Sequence, residues 1–561
     1  MRGLLAALSG AVLFFAASSA PALAAPPLKV PIASCADHSS PAATVTGYVG
    51  TYPGSDATGN MRQFLGIPYA MPPTGANRWA PPVTTPAKLC WDGDKMANVF
   101  GKSCPQGTAL DAWESEDCLT LNVFTRSTGT VSRQPVMVFI HGGGLVSGSG
   151  SFQLNPYPLI QQGVVVVTIN YRVGALGFLA YQALSHKTGN FGILDQQAAL
   201  KWVRANIRQF GGDPANISIF GGSAGGLSVL VHLVSPLSNG LFHKAIIQSG
   251  SFYHQATPLT TAQQRGSSFA SSAGCASAAC LHSLPVNTIL TRQAPPGQPM
   301  PLGQSVALVT EDNVVLKGAL RTLLETGQFK KLPTIVGSTQ HETRFHIAGN
   351  AAFGTGGACN FTSDITPANY FSKLQSTGAG GLAGQIQSQY PPGSTPLSAT
   401  TALAQQWTDS QYSCRTLRVN QWMAQNAGKN YAYEFSDATA PATLWAPFRL
   451  SDGTVFPYGA YHGSEGPYLF RMGSRNACGG TVPVLTGAQR QLSAAMVSYW
   501  TTFAKTGNPN AAGSGLPVWP EFQGTSAKII SFKGAAPTLV AASKFDTDHK
   551  CTSFWQANNV P

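Results

Sequence analysis

Charge is scarce in this chain. Only 10% of its 561 residues are Asp, Glu, Lys or Arg, and the 35 basic side chains outnumber the 23 acidic ones without forming a dense Lys/Arg block. The formal excess of +12 is therefore spread thinly. That argues against nucleic-acid binding and leaves a mild attraction to anionic surfaces or substrates. No C-x-x-C occurs and no Cys/His cluster has metal-ligand spacing, so no zinc site is expected. No internal repeat of solenoid period is found. Beyond the N-terminus no apolar run is long enough to cross a bilayer. What the chain has is apolar mass: 43% hydrophobic residues, enough to bury a large core and to exclude disorder.

The N-terminus runs Met1-Arg2, an apolar stretch from Leu4 to Ala17, then Ala22-Leu23-Ala24 as an A-x-A site. This reads as a secretory signal cleaved after Ala24 or nearby, leaving residues 25–561 as one exported domain. An uncleaved anchor is the alternative, disfavoured because the run is shorter than the ~20 residues a spanning helix needs. Loss of Arg2 takes the formal charge to +11 (12 − 1). Ten cysteines, an even number, fit an oxidising compartment. Cys275 and Cys280 are close enough for a small loop, Cys104 and Cys118 for a medium one, and the rest are isolated.

Short apolar runs at Val136 to Ile140, Val164 to Ile169, Ile217 to Phe220, Ala245 to Gln248 and Thr334 to Val336 have the look of buried strands. Between them lie helical patterns such as Leu194 to Phe210, with Leu194, Ala198, Trp202 and Ile207 on one face. The alternation predicts an α/β fold with a large, mostly parallel central sheet flanked by helices, extended by Tyr431 to Phe435 and Lys528 to Phe532. Ser376 to Gly384 and Asn508 to Pro517 read as surface loops.

Within that frame "ISIFGGSAGGLS" places Ser223 between the strand ending at Phe220 and a helix beginning near Ala224. A serine on such a strand-to-helix turn, with small Gly221, Ala224 and Gly225 around it, is lifted above the sheet edge at a helix N-terminus. A hydroxyl is a weak nucleophile at neutral pH and needs a base, itself oriented by a third group. Upstream, Val136 to Ile140 runs into His141-Gly142-Gly143-Gly144, a pattern that brings backbone N–H groups to a substrate oxygen, the alternative being a flexible loop. His141 reads as structural rather than as the base.

These segments, with "FLGIPYAMPPTGANRWAPP" (64–82), "SEDCLTLNVF" (115–124), "YRVGALGFLA" (171–180), "GNFGILDQQAALKWV" (189–203) and "YWTTFAKTGNPN" (499–510), resemble the type-B carboxylesterases of the carboxylesterase/cholinesterase group. The resemblance spans nearly all of the chain after the leader and implies an α/β-hydrolase fold. It assigns the nucleophile to Ser223, the acid to Glu342 in "PTIVGSTQHETRF" and the base to His462 in "GAYHGSE". It gives the oxyanion donors as Gly143, Gly144 and Ala224. The reaction it implies is ester hydrolysis with no cofactor, on a small-molecule or polymeric ester, by a secreted enzyme. It also pairs Cys104–Cys118, Cys275–Cys280 and Cys414–Cys551. Cys35, Cys90, Cys359 and Cys478 remain, and Cys35–Cys90 with Cys359–Cys478 is the expectation for them, although spacing does not fix their connectivity.

Two departures bear on substrate. The family usually carries glutamate before the nucleophile, where this chain has Gly222, and that argues against a choline ester. Trp113 stands only five residues before Cys118, too late in its loop to carry over the choline-binding tryptophan of cholinesterases. Some family members are adhesion proteins that have lost part of the triad; a lipase, an amidase or a polymer esterase could use the same machinery. Asn216 and Asn360 head N-x-S/T sequons that matter only in a glycosylating host.

Overall fold

The computed structural model describes residues 28–32, 44–50, 61–85, 90–91, 93–126, 132–151, 155–293, 306–347, 362–363, 365–376, 380–443, 449–472, 481–524, 526–558 and 560. The leader expected at 1–24 and the sequon at Asn360 fall outside them.

Thirteen strands join in one sheet among the described residues. They are β1 (Leu28–Pro31), β2 (Thr44–Gly50), β3 (Met61–Pro68), β4 (Asp94–Met96), β5 (Thr120–Thr125), β6 (Gln134–Ile140), β7 (Val165–Ile169), β8 (Gly212–Gly222), β9 (Lys244–Gln248), β10 (Thr334–Thr339), β11 (Asn430–Phe435), β12 (Lys528–Phe532) and β13 (Thr538–Ala541). Their order is β1-β2-β3-β5-β7-β6-β8-β9-β10-β11-β12-β13, with β4 beside β2. From β7 to β12 every pairing is parallel, while β1, β2, β3 and β5 add an antiparallel flank and β13 closes the other side antiparallel.

The parallel strands are buried on both faces, which explains their continuous apolar runs. Val136, Val138 and Ile140 of β6 face one core together with Ile217, Ile219, Ala245 and Ile247. Met137 and Phe139 turn the other way, toward Phe220, Ile246 and Ile335. Helices α1 (Phe191–Asn206), α2 (Ala224–Val234) and α3 (Cys414–Gln425) cover the first face through residues such as Leu200, Val203, Leu227, Val231 and Trp422. Helix α4 (Gly487–Thr506) covers the second with Leu492, Met496, Trp500 and Phe503, a stripe at helical spacing. It starts at a capping box, where Thr486 and Gln489 exchange side chain-to-backbone bonds, and stops at Gly507 with φ 76°.

The helix expected from Leu194 to Phe210 begins three residues earlier, at Phe191, and tightens into a 3₁₀ turn over Ile207–Phe210. Ser376 to Gly384, expected as a loop, needs correction. A 3₁₀ turn at Gly380–Leu382 leads directly into a helix at Ala383–Gln389, because Ala383 and Ile386 are drawn into a core cluster with Tyr370 and Leu403. Tertiary burial overrides the poor helix propensity of the glycines there. Asn508 to Pro517 is irregular, as expected.

Buried ion pairs tie together the segments that carried the family resemblance. Arg78 forks onto both oxygens of Glu116 at 2.7 Å, and Arg172 binds Asp195 bidentately at 2.8 and 2.7 Å, with Asp195 fully buried. A third network closes the C-terminal region: His549 sits between Asp409 (2.6 Å) and Glu434 (2.9 Å). Burial pulls this imidazole toward neutrality, but the two carboxylates outweigh it and carry its pKa up to about 10, so it is a cation at neutral pH.

Cys104–Cys118, Cys275–Cys280 and Cys414–Cys551 are bonded as the resemblance implied, with Cα separations of 5.1, 5.4 and 5.0 Å. No cysteine among the described residues is free. Cys35, Cys359 and Cys478 lie outside those residues, and with them the pairings Cys35–Cys90 and Cys359–Cys478. No helix among the described residues is long and apolar enough to cross a membrane.

Candidate active site

The parallel strands point their carboxyl ends at one edge of the sheet, where α/β proteins place ligands. β8 leads into Ser223, which holds φ 58° and ψ −127°, a conformation costly for any residue with a Cβ. The strain is fixed from both sides: Ser223 N–H donates to Gln248 O at 2.9 Å and its carbonyl accepts Leu227 N–H at 2.9 Å. The flanking glycines separate by role. A Cβ on Gly221 would come within 2.6 Å of Ile140 O, and one on Gly225 would run into the same carbonyl. On Gly222 the nearest atom would be Gln248 O at 3.9 Å, so a side chain has room there.

The glycine loop leaving β6 packs against this elbow, with the Cβ position of Gly142 only 3.1 Å from Ser223 Cβ. Gly143 (φ 106°) and Gly144 (φ 63°) use backbone conformations that favour glycine. Gly143 O accepts Val146 N–H and Ser147 N–H, each at 3.0 Å, which holds the turn. Among the described residues no acceptor meets the N–H of Gly143, Gly144 or Ala224. His141 lies beneath the loop, stacked on Tyr171 at 4.1 Å, with its carbonyl held by the Tyr171 hydroxyl. Burial lowers its pKa to about 4. Its Nδ1 faces Gly142 O at 2.8 Å and so carries the proton. This neutral, enclosed ring suits a strut, as the sequence suggested.

Glu342 follows β10 by three residues and is fully buried. One carboxyl oxygen accepts Thr339 N–H at 2.7 Å and the other meets His462 Nδ1 at 2.6 Å. His462 arrives on a loop after β11, and its own N–H donates to Glu342 O at 3.2 Å, so backbone and side chain lock the pair in register. A carboxylate only accepts, so His462 carries its proton on Nδ1 and presents a bare Nε2. That Nε2 is buried with no hydrogen-bond partner among the described residues. The structure thus joins Glu342 to His462, and no hydrogen bond between Ser223 and His462 is found among the described residues.

Four rings enclose His462: His346 at 5.1 Å, Tyr412 at 5.2 Å, Phe345 at 6.1 Å and Phe252 at 6.5 Å. His346 bonds Tyr412 Oη at 2.6 Å, and burial, with a smaller push from His462, lowers its pKa to about 3. It therefore adds no competing charge beside His462. None of these four was singled out from the sequence; Phe345 and His346 had a local signal, lying three and four residues past Glu342. Trp113 is 76% exposed. Among the described residues no group of three or more His, Cys, Asp or Glu is arranged to hold a metal.

A model of the carboxylesterase family matches residues 40–552. The chain is 32% identical over 509 residues to a human cocaine esterase, 31% over 500 residues to a mouse acylcarnitine hydrolase, and 32% over 489 residues to a fumonisin B1 esterase of Sphingopyxis macrogoltabida. Each alignment covers 83% of this chain and 82% of the relative. With its α/β-hydrolase sheet, this chain belongs to the carboxylesterase family and is, by reaction class, a carboxylic ester hydrolase.

Proposed function

We propose that the chain is an exported serine esterase that works through an acyl-enzyme on Ser223. The observation that carries this reading is the buried 2.6 Å pair of Glu342 and His462, which fixes the imidazole with its bare nitrogen free to act as a base. His462 Nε2 takes the Ser223 proton as Oγ attacks the ester carbonyl, and Glu342 holds the tautomer and offsets the imidazolium charge. The N–H groups of Gly143, Gly144 and Ala224 receive the developing oxyanion; one such donor is worth about 10²- to 10³-fold in turnover. His462 then protonates the leaving alcohol, and water releases the acid by the same steps in reverse. Export is supported by the leader sequence and by three disulfides among the described residues.

The named substrates of the three relatives differ, so the alcohol is read from this chain alone. Gly222 places no carboxylate beside the elbow, which favours neutral over cationic esters. The test of the mechanism is labelling with a fluorophosphonate, followed by peptide mapping. The expected adduct sits on Ser223 and is absent from Ser223→Ala; folded protein left unlabelled there would overturn the reading. A panel of p-nitrophenyl esters graded by chain length, beside cationic and polymeric esters, would define the substrate.

A further inference from the structure

Three arginines are buried among the described residues: Arg78, Arg172 and Arg415. The first two are forked onto Glu116 and Asp195. Arg415, 3% exposed at the start of α3, has no carboxylate partner among the described residues. Its Nε donates to Ser410 O at 2.8 Å and its guanidinium carbon stands 5.9 Å from the centre of the Tyr253 ring, while Nη1 is buried with no acceptor. The charged and titratable groups that face it are Tyr253, Tyr412, His254 and Arg321. Burial, with a smaller push from Arg321, brings its pKa down only to about 10, so it is a cation at neutral pH. Glu325 acts on Tyr253 and is already paired with the half-exposed Arg321 at 3.8 Å. A buried cation left without a counter-charge is costly, and guanidinium is the side chain best shaped to take a carboxylate.

Arg415 stands close behind the rings that enclose His462. Tyr412, 5.2 Å from His462, lies within the field of both Glu342 and Arg415. Phe252 packs edge-on against Tyr412 at 5.0 Å and leads directly into Tyr253 and His254. The His254 ring stands 6.5 Å from Phe252 and 6.3 Å from Tyr253, and its Nδ1 is buried with no partner among the described residues. Burial, reinforced by Arg415, holds that imidazole neutral, with one N–H to donate. Around Tyr253 the arginines Arg415, Arg321 and Arg418 face the single carboxylate of Glu325, so this wall is positive. It is also held firmly: Cys414 is bonded to Cys551, and the Thr416 hydroxyl donates to Ser251 Oγ at 3.2 Å. We propose that Arg415, with His254 as a second donor, is an anion subsite that selects esters carrying a remote carboxylate. The proposal rests on the Ser223 mechanism above and names its substrate class: half-esters of dicarboxylic acids, or esters of hydroxy acids. The substrate carboxylate supplies the counter-charge that the chain withholds from Arg415. It does so in the bound ester and in the transition state alike, so the gain belongs in KM.

The experiment compares kcat/KM for an acidic ester with that for its neutral counterpart, in wild type, Arg415→Gln and Arg415→Lys, each first shown to be folded by thermal melting. One arm sets p-nitrophenyl hemiglutarate against p-nitrophenyl valerate and places the carboxylate on the acid side. The other sets 4-acetoxybenzoate against phenyl acetate and places it on the alcohol side. In the arm that matches the subsite, Arg415→Gln lowers the acidic-to-neutral ratio by about 10- to 100-fold, mainly through KM, and Arg415→Lys restores part of it. A structural role alone would lower both rates together and leave the ratio where it was. Wild type gives a reading that needs no variant: glutarate should inhibit competitively at least about tenfold better than valerate, or 4-hydroxybenzoate better than phenol by the same factor. Ratios that Arg415→Gln leaves unmoved in both arms, or carboxylate products that inhibit no better than their counterparts, overturn the proposal. Wild type that fails to label on Ser223 overturns the mechanism beneath it, and the two failures are thereby told apart.

Discussion

Replacing Glu342 with Gln changes one oxygen to an amide nitrogen at nearly constant volume, and the backbone decides which way the amide turns. Thr339 N–H points at Oε1 from 2.7 Å and can only donate, so the amide oxygen must stay there. The NH₂ is then forced toward His462 Nδ1, in the place of an oxygen now 2.6 Å away. Two donors cannot face each other, so the imidazole proton moves to Nε2, the atom that the proposed mechanism uses to accept from Ser223. The variant loses the base in its working tautomer and also the charge opposite the imidazolium. At a separation of about 4 Å and an effective dielectric of about 20, that charge is worth up to about 4 kcal/mol. Wrong tautomer and lost charge together predict a fall in kcat of about 10⁴-fold, equivalent to about 5 kcal/mol. Initial rates on p-nitrophenyl acetate and the rate of fluorophosphonate labelling should fall in parallel, while the melting temperature stays within a few degrees because the Gln is satisfied at both ends. A folded variant that loses less than about tenfold would show that Glu342 does not set the tautomer of the base.

Three further outcomes follow from other parts of the molecule. Gly222→Glu, at a position with open space around its Cβ, is expected to raise kcat/KM for a choline-type ester relative to its neutral isostere by about tenfold and to shift the acid limb upward; an unchanged ratio would count against that geometry. Removing the Cys414–Cys551 bond, which closes a loop of 137 residues, should cost about 5 kcal/mol on the chain-entropy relation, read as a lower urea midpoint in the Cys414→Ser/Cys551→Ser variant. The His549 pKa is raised above its unfolded value, so its contribution to stability is complete below about pH 6.5 and fades as the pH climbs through about 10. His549→Gln should therefore flatten the loss of stability between pH 7 and pH 10, and parallel curves for the two proteins would refute the clamp.

How much could be read ahead of the structure varied with the kind of burial. Strands β6 to β12 stood out because parallel strands covered on both faces need uninterrupted apolar residues. The antiparallel flank did not: β3 reads "MRQFLGIP" and β2 "TVTGYVG", where polar residues and glycine dilute the pattern and pairing across the sheet supplies the order. The helix at Ala383–Gln389 was hidden by the glycines before it, since its stability comes from a core assembled by distant elements. At the site, the elbow was legible locally, because Gly221 and Gly225 are demanded by the close carbonyl of Ile140. Glu342 and His462 lie 120 residues apart and could be paired only through family resemblance. The rings of Tyr412 and Phe252 around His462 left no local trace.

By itself the sequence determined the α/β alternation, the glycine turn that lifts Ser223, and the small-residue loop that frees backbone N–H groups beside it. These depend on neighbours in the chain: period, Cβ sterics and turn chemistry. Only the tertiary structure decided the 2.6 Å contact that orients His462, the unpartnered Nε2 and the neutral state of His141. Those are matters of distance and dielectric, which are set once the sheet brings the ends of β6, β8, β10 and β11 to one edge.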